Sequence, residues 1–160
     1  MSAKLGIGAA VAFGVVLGGS ASALLSQDGA VAVPRMQPMV VAPFSAARFA
    51  PIDPARPDGA AMAVLWGDPS AGPSAMLLKL KKGAGPLHSH TSDYHLVLVA
   101  GTAKHWAEGE SEAGAAALGP GGYWFQPGGR VHGDSCLTDE CLMFVQWAGK
   151  RDGKLAGPKP

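Results

Sequence analysis

Four histidines in the middle of the 160-residue sequence have the types and spacing of a metal site: His88, His90, His95 and His132. Only one residue separates His88 from His90, so on a β-strand both imidazoles point to the same side and can share one ion. Neutral imidazole ligands leave a divalent ion its full charge for polarising water or a substrate oxygen. The spacing therefore predicts a four-histidine site for one divalent transition-metal ion. Imidazole ligands alone do not separate the candidates, of which we expect Zn or Fe before Ni, Cu or Mn.

The other two of these histidines need turns in order to reach the first pair. His95 comes five residues after His90, an odd offset that places it on the opposite face of a straight strand. Turn-forming residues at 91–93 lie between them and are expected to bring His95 back to the site. His132 comes shortly after the turn sequence of residues 127–129, from which a new strand can return to the first pair.

Further polar residues lie close to these histidines and are candidates for hydrogen-bonding or lining positions around the ion. Asp93 and Asp134 each stand two residues from a proposed ligand, near enough along a strand to hydrogen-bond its outer ring nitrogen. An ordinary turn residue is the alternative for both. His105 shares the face of His95 only if no bulge interrupts the chain at Gly101, so a pocket-lining position and a solvent-facing or core position both stay open.

A four-residue stretch, Tyr123 to Gln126, leads into the last histidine. Alternation along a strand turns one pair of these side chains to the interior, and the sequence leaves both pairs open: Tyr123 with Phe125, or Trp124 with Gln126. Core packing is the simplest role for all four. Gln126 is the hardest to bury without a ligand or hydrogen-bond partner, because an unpaired amide in an apolar core costs free energy.

The glycines and histidines of this region resemble the two motifs of the cupins. The first cupin motif has a glycine, an HxH pair, an acidic residue and a closing glycine, and its places are taken here by Gly83, His88, His90, His95 and Gly101. One residue fewer precedes the HxH pair, and His95 stands where the family usually has Glu. The second motif matches at full spacing, with Cys136 where Asn is common: Gly121, Pro127, Gly129 and His132. The resemblance covers about residues 61–147.

The resemblance implies an all-β fold, a jelly-roll barrel or antiparallel β-sandwich, with the metal site inside it. It also implies a possible homodimer, because cupins often dimerise. The replacement of Glu by His95 removes a negative ligand and proton acceptor, which weakens the comparison with three-His, one-Glu dioxygenases. Iron cupins with histidine ligands alone and cyclase-like cupins with four-His zinc sites are the other precedents, and both stay open.

Two classes of function are compatible with such a site. A metal-dependent cupin enzyme would act on a small molecule with dioxygenase-like or cyclase- or isomerase-like chemistry, and no catalytic residue is identified for it. A non-catalytic cupin would use the ion only to bind a small ligand or would bind the metal as such, because four protein ligands complete a tetrahedral zinc shell. The ligand-accessible barrel that the resemblance implies favours the enzyme.

Length, charge and composition agree with one small all-β domain. The chain of 160 residues has room for a single core. Lys and Arg exceed Asp and Glu by one, 13 against 12, and no basic cluster extends beyond residues 79–82, so a nucleic-acid partner has little electrostatic support. The 23 glycines and 13 prolines favour short strands joined by tight turns over helices.

The N-terminus has the pattern of an export signal. Lys4 precedes an apolar run that begins at Leu5, and the small residues at 21–23 are typical of a cleavage site. A retained membrane anchor is the alternative, because the uncharged stretch is nearly long enough to span a bilayer. With cleavage, we expect a periplasmic or secreted protein without stable membrane association. The expected organisation is a signal peptide at 1–23, a Pro- and Ala-rich arm at 24–60, a cupin domain at 61–149 and a loose tail at 150–160.

The two cysteines, Cys136 and Cys141, flank four residues that resemble a hairpin turn. Cysteines directly opposite each other in a hairpin would have Cα atoms roughly 4.5 to 5.5 Å apart, within the range that a disulfide accepts. Because an exported protein meets an oxidising compartment, we expect a disulfide between them rather than two buried thiols.

Overall fold

The computed structural model describes residues 38–157, which form an all-β fold without an α-helix. In this part of the chain a short 3-10 turn, Phe44–Ala46, precedes nine strands. The strands are β1 (Ala50–Pro51), β2 (Ala61–Gly67), β3 (Ser74–Ala84), β4 (His88–Ser89), β5 (Tyr94–Ala100), β6 (Ala103–Ala107), β7 (Tyr123–Gln126), β8 (His132–Trp147) and β9 (Lys154–Leu155). The all-β prediction is confirmed, whereas the expected signal peptide at 1–23 lies outside the described residues.

The longest strand, β8, organises the sheet. Along one edge it pairs antiparallel with β3 and, at its first residue, with β4. Along the other edge it pairs with β6 over residues 132–136 and with β5 over residues 142–147. One set of strands follows the order β1-β2-β3-β8-β4-β9. In a second set, β5 and β6 pair with β8 and β7 pairs with β5, and the sheet curls round a common core.

The core follows the two-residue alternation of the strands. Val145 of β8 is opposite Met76 of β3 on one side and Leu96 of β5 on the other, and all three are at most 2% exposed. Met143 and Leu98 continue the same layer along β8 and β5. Burial of each side chain of this size contributes roughly 1.5 to 3 kcal/mol. This packing fixes which face of each strand points inward, and therefore which polar side chains reach the interior.

A disulfide joins Cys136 to Cys141, with Cα atoms 5.8 Å apart, and the predicted bridge is confirmed. The residues between the cysteines are not the expected hairpin turn. Both cysteines belong to β8, whose register with β3 continues past them: Gly83 is opposite Cys136, and Lys81 is opposite Glu140. A single intervening residue of β3 thus faces three residues of β8, a β-bulge whose two ends the disulfide connects.

Short strands extend the sheet at both ends of its path. β1 lies inside the expected arm at 24–60 and pairs with β2. β9 pairs with β4, so the segment after Gly149 packs on the sheet and is not the loose tail that its polar composition suggested. The N–H of Arg151 donates to Pro69 O (2.8 Å) and holds the start of this segment. Between residues 38 and 157, no helix is long and apolar enough to cross a membrane.

Candidate metal centre

Three of the four predicted ligands meet on the inner face of the sheet, where β4 and β8 pair. His88 is directly opposite His132 in the register, so their side chains share a face, and His90 follows His88 by two residues. The ring centroids are 4.4 Å apart for His88 and His132, 4.8 Å for His88 and His90, and 5.3 Å for His90 and His132. One ring nitrogen of each lies within 4.8 Å of those of the others, close enough for a shared ion.

Backbone carbonyl groups fix the same tautomer in all three rings. A carbonyl oxygen only accepts hydrogen bonds, so each Nδ1 that contacts one carries the proton. The acceptors are Pro86 O for His88 (2.9 Å), Arg130 O for His132 (3.2 Å) and Asp152 O for His90. The three Nε2 atoms therefore present lone pairs, the arrangement found in metal-bound imidazoles whose outer nitrogen is held by a carbonyl.

Burial keeps two of these rings neutral. Removal from water lowers the pKa of His90 to about 4 and that of His132 to about 3, from 6.5 for an exposed imidazole. Repulsion from a charged His88 acts in the same direction, and the hydrogen bonds to the carbonyl groups oppose it. At neutral pH both Nε2 atoms are therefore unprotonated and can bind a cation without first losing a proton.

His105 reaches the same region from β6. Its ring stacks on Trp124, with centroids 4.7 Å and planes 10° apart, and its centroid lies 5.0 Å from that of His132. β5 ends before Gly101, which adopts a φ of +89°, and β6 begins a new strand after it. The face of the sheet on which His95 lies therefore does not determine the face on which His105 lies. The ring points inward and is hydrogen bonded to Gln126 there, so the solvent-facing position is not adopted.

Gln126 sets the tautomer of His105. Its Nε2 donates to Pro127 O (3.1 Å) and Arg130 O (2.9 Å), which turns Oε1 towards the imidazole. His105 Nε2–H donates to that oxygen (3.0 Å), so the lone pair of the ring is on Nδ1, a buried atom with no hydrogen-bond partner among residues 38–157. Trp124 and Gln126 are therefore the inward pair of the stretch, and the buried amide is hydrogen bonded at both ends.

Asp134 places a carboxylate beside the imidazoles. It is opposite His105 in the register of β6 with β8 and two residues from His132, so it shares their face. Its Oδ2 lies 3.8 Å from His88 Nε2, and burial raises the pKa of its carboxyl group. His105, His132 and Asp134 form a second group whose ligand atoms lie within 4.8 Å of one another, so His132 belongs to both groups.

His95 lies on the outer face of the sheet and is not brought to the other three predicted ligands. β5 runs unbroken through it, so Tyr94 points inward and His95 outward, as strand alternation requires. On the outer face its Nδ1 is hydrogen bonded to Tyr123 Oη (2.9 Å), and its ring centroid is 5.0 Å from that of Phe125. The turn at 91–93 precedes β5 and does not reverse this parity.

Asp93 holds two turns together. Its Oδ1 accepts a hydrogen bond from the N–H of Gly128 (2.7 Å), which joins the turn before β5 to the turn before β8. A Cβ at Gly128 would lie 2.5 Å from Thr91 O, so this close approach requires glycine. Within the described part of the chain, none of the hydrogen bonds of Asp93 reaches an imidazole of the histidine cluster, which consists of His88, His90, His105 and His132.

A cavity of about 460 Å³ borders the cluster on the side of His88 and His90. Tyr94 and Asp134 contribute polar groups to its wall, and buried apolar side chains make up much of the rest: Met76, Leu96, Val145 and Trp147. The hydroxyl oxygen of Tyr94 lies 3.3 Å from His132 Nε2. Sequence spacing did not indicate Tyr94, because with His95 expected at the site strand alternation turns Tyr94 to the other face. A small molecule in this cavity would lie against His88 and His90.

The sequence matches a protein family over residues 43–153. That family is described as a domain of unknown function, DUF4437. No curated protein matches the chain. The matched range includes both histidine groups and the disulfide.

Solved structures of cupins have a similar fold. The DMSP lyase DddQ from Ruegeria pomeroyi DSS-3 aligns with a TM-score of 0.56 at 22% identity, over 72% of this chain and 64% of that one, so the chain spans less than two thirds of DddQ. An RmlC-like cupin from Shewanella frigidimarina NCIMB 400 aligns with a TM-score of 0.53 at 19% identity, over 70% of this chain and 93% of that one. The polyketide cyclase RemF from Streptomyces resistomycificus aligns with a TM-score of 0.58 at 15% identity, over 76% of this chain and 88% of that one. The cupin-type jelly roll implied by the two motifs is confirmed.

Proposed function

The chain belongs to the DUF4437 family and has the cupin fold, and from that premise we propose that it is a metal-dependent enzyme acting on a small molecule. The observation that carries the proposal is the convergence of three imidazole lone pairs beside the cavity, those of His88, His90 and His132. Neutral nitrogen donors whose outer N–H groups are already held suit a divalent transition metal. Zn and Fe fit this donor set, as do Ni, Cu and Mn.

Three protein ligands leave the coordination of such an ion incomplete. Structural zinc sites use four protein ligands, whereas catalytic ones use three and reserve a position for water or substrate. With His95 on the outer face, the four-histidine shell that favoured a structural ion is not formed by the residues first expected. His105 and Asp134 lie beside the three donors, where they can contact a bound molecule.

The residues around the donors favour proton-transfer chemistry. A divalent ion bound there would act as a Lewis acid on a substrate oxygen. Asp134 is positioned to accept a proton from a molecule in the cavity, a role that cupins with a Glu ligand can give to that Glu and that His95 cannot fill here. Apolar side chains make up much of the cavity wall beside these groups. Cyclisation, isomerisation or elimination therefore fits better than oxygen activation, and DddQ and RemF are a lyase and a cyclase.

Metal analysis of variants tests the ligand set. We expect purified protein to hold close to one transition-metal ion per chain, and His90→Ala and His132→Ala each to lose most of it. His95→Ala is the matched control, because the same side chain is removed from the outer face, and it should retain the ion. Metal that survives both inner substitutions, or is lost with His95→Ala, would contradict the assignment.

The coordination of the ion distinguishes a non-catalytic binding protein from an enzyme. X-ray absorption of the metal-loaded protein should show a position occupied by exchangeable water. A four-coordinate ion bound only by protein atoms, with no spectral change on addition of carbonyl compounds, would favour a binding module.

We further propose that the protein is exported and acts as a homodimer without a nucleic-acid partner. Export is supported by the signal-like N-terminal sequence and by the disulfide, which persists in oxidising compartments. N-terminal sequencing of protein from the native cell should begin at Leu24. An intact Met1 terminus on membrane-bound protein would instead support the retained anchor.

A further inference from the structure

An arginine whose guanidinium has no hydrogen-bond partner among the described residues lines the cavity beside the histidines. Arg151 is half-buried, and its side chain contributes to the same cavity wall as His88 and His90. No oxygen of residues 38–157 is hydrogen bonded to its guanidinium. Burial of this charge lowers the pKa of Arg151, which reflects the loss of its water. A half-buried cation without a hydrogen-bonded anion is costly to hold in such a place, so an anionic ligand would stabilise it.

The segment that carries Arg151 is fixed to the candidate metal centre. The backbone N–H of Arg151 donates to Pro69 O (2.8 Å), and the carbonyl of the next residue, Asp152, accepts the Nδ1–H of His90. The charge of Arg151 is close enough to His90 to contribute to the lowering of its pKa. The backbone of Arg151 is thus held next to a proposed metal ligand, so the ordering that ligand binding requires is confined to the arginine side chain.

The neighbouring acid compensates this arginine only in part: the charge of Asp152 raises the pKa of Arg151 against the effect of burial, but its carboxylate forms no hydrogen bond with the guanidinium. The two carboxylate oxygens of Asp152 accept hydrogen bonds from Thr91, one from its N–H (2.9 Å) and the other from its hydroxyl group (2.7 Å). The other cations of the cavity differ from Arg151: Arg56 is paired with Asp53 at 2.8 Å, and Lys154 is exposed at the rim. One half-buried positive charge is therefore left available on the cavity wall.

The remaining walls define the rest of the ligand. Met76, Leu96, Val145 and Trp147 offer buried apolar surface in a cavity of about 460 Å³, which suits a compact apolar or aromatic body. A single planar guanidinium matches the two oxygens of a carboxylate. A doubly charged phosphate would be repelled by Asp134 and Asp152, which line the same cavity. The available charge is sufficient for one monoanion.

We propose that Arg151 is a specificity-determining residue that binds the carboxylate of the substrate while the apolar part of the molecule packs on the Met76 and Trp147 side of the cavity. This inference rests on the proposed function, because it presumes that the histidines act on the molecule bound there. It assigns the substrate to the small monocarboxylates with an apolar or aromatic body.

Calorimetry with the full-length protein tests the assignment, using benzoate as the probe and benzamide as its uncharged counterpart. Metal-free protein is used first, so that benzoate cannot bind through an ion. We expect benzoate to bind and Arg151→Gln to weaken it at least tenfold, with Arg151→Lys intermediate. Lys154→Gln, at the exposed rim of the same cavity, is the matched control and should change the affinity less than threefold.

Three results would overturn the carboxylate subsite: no benzoate binding to the wild type at millimolar concentration, equal affinity of wild type and Arg151→Gln, or tighter binding of inorganic phosphate than of benzoate. Equal unfolding temperatures for wild type and Arg151→Gln exclude a folding defect, and Arg151→Lys gives a second reading if they differ. Metal uptake by the same proteins is read separately. Loss of benzoate binding with normal metal uptake refutes only the subsite, and benzoate binding by a protein that takes up no metal refutes only the proposed metal-dependent function.

Discussion

Hydrogen-bond partners on the outer side of each ring determine which nitrogen of the imidazole is free to bind a metal ion. Carbonyl oxygens on the outer side hold Nδ1–H in His88, His90 and His132, and an amide oxygen holds Nε2–H in His105. Each ring therefore directs an unprotonated nitrogen away from its hydrogen-bonded side. A change to one of these supporting groups should affect the site without removing a ligand.

Gln126 is the supporting residue whose removal has the clearest expected cost. Gln126→Leu would leave the Nε2–H of His105 without its partner and would remove two further hydrogen bonds, those to Pro127 O and Arg130 O, so the free energy of unfolding should fall by about 1 to 3 kcal/mol. Urea denaturation measures the change. Gln146→Leu, which replaces the same amide on the exposed face of β8, is the control and should stay within about 0.5 kcal/mol of the wild type. A similar stability for both variants would contradict the role of Gln126.

Sequence spacing located some site residues and not others for a simple physical reason. His88 and His90 are two residues apart within one extended segment, so parity alone placed them together. His95 and His105 each follow a chain reversal, and parity gives no information across a turn whose geometry is unknown. Arg151 had no signal at all, because it lies far along the chain from the motifs and reaches the cavity only through the pairing of β9 with β4.

At the scale of elements, β8 combines two tasks in one strand. Its first half carries His132 and Asp134 to the site, and its second half provides the core residues Met143 and Val145. The bulge between the halves interrupts the register with β3, and the disulfide connects the two ends of the bulge. The sequence showed the short cysteine spacing but could not distinguish a bulge from a hairpin, because both place two residues close together across a few intervening ones.

The disulfide should have a modest effect on stability. The bridge joins cysteines five positions apart, so its entropic contribution should be below the roughly 3 kcal/mol expected from chain entropy for a 15-residue loop. The double variant Cys136→Ser, Cys141→Ser should therefore fold, with a decrease in unfolding free energy smaller than that value. Thiol titration of the denatured, unreduced wild type should find no free thiol. Two titratable thiols would show that the bridge is absent from the isolated protein.

At the scale of the whole molecule, the motifs predicted the cupin fold better than periodicity alone would have. Glycines and histidines at fixed offsets specify two particular turns and a strand pairing, whereas alternation specifies only a face. The ends of the domain were harder to predict, since the two-residue strands β1 and β9 have no pattern of their own and form only by pairing with longer neighbours.

We expect the subunit interface of the proposed homodimer on the outer face of β5 and β7. Val97, Val99, Tyr123 and Phe125 are 37 to 53% exposed there, a group of apolar side chains of the kind that subunit contacts bury. Light scattering after size-exclusion chromatography should give the mass of two chains, and Phe125→Glu should give that of one, because a buried charge on an apolar interface is costly.

Leu137→Glu introduces the same charge on the bulge of β8, at a side chain of similar exposure, and is expected to leave the dimer intact. A monomeric wild type would refute the dimer. A dimer that persists with Phe125→Glu would place the interface elsewhere. Because the inner histidines face the opposite side of the sheet from Phe125, the monomeric variant should keep its metal, which separates assembly from the integrity of the site.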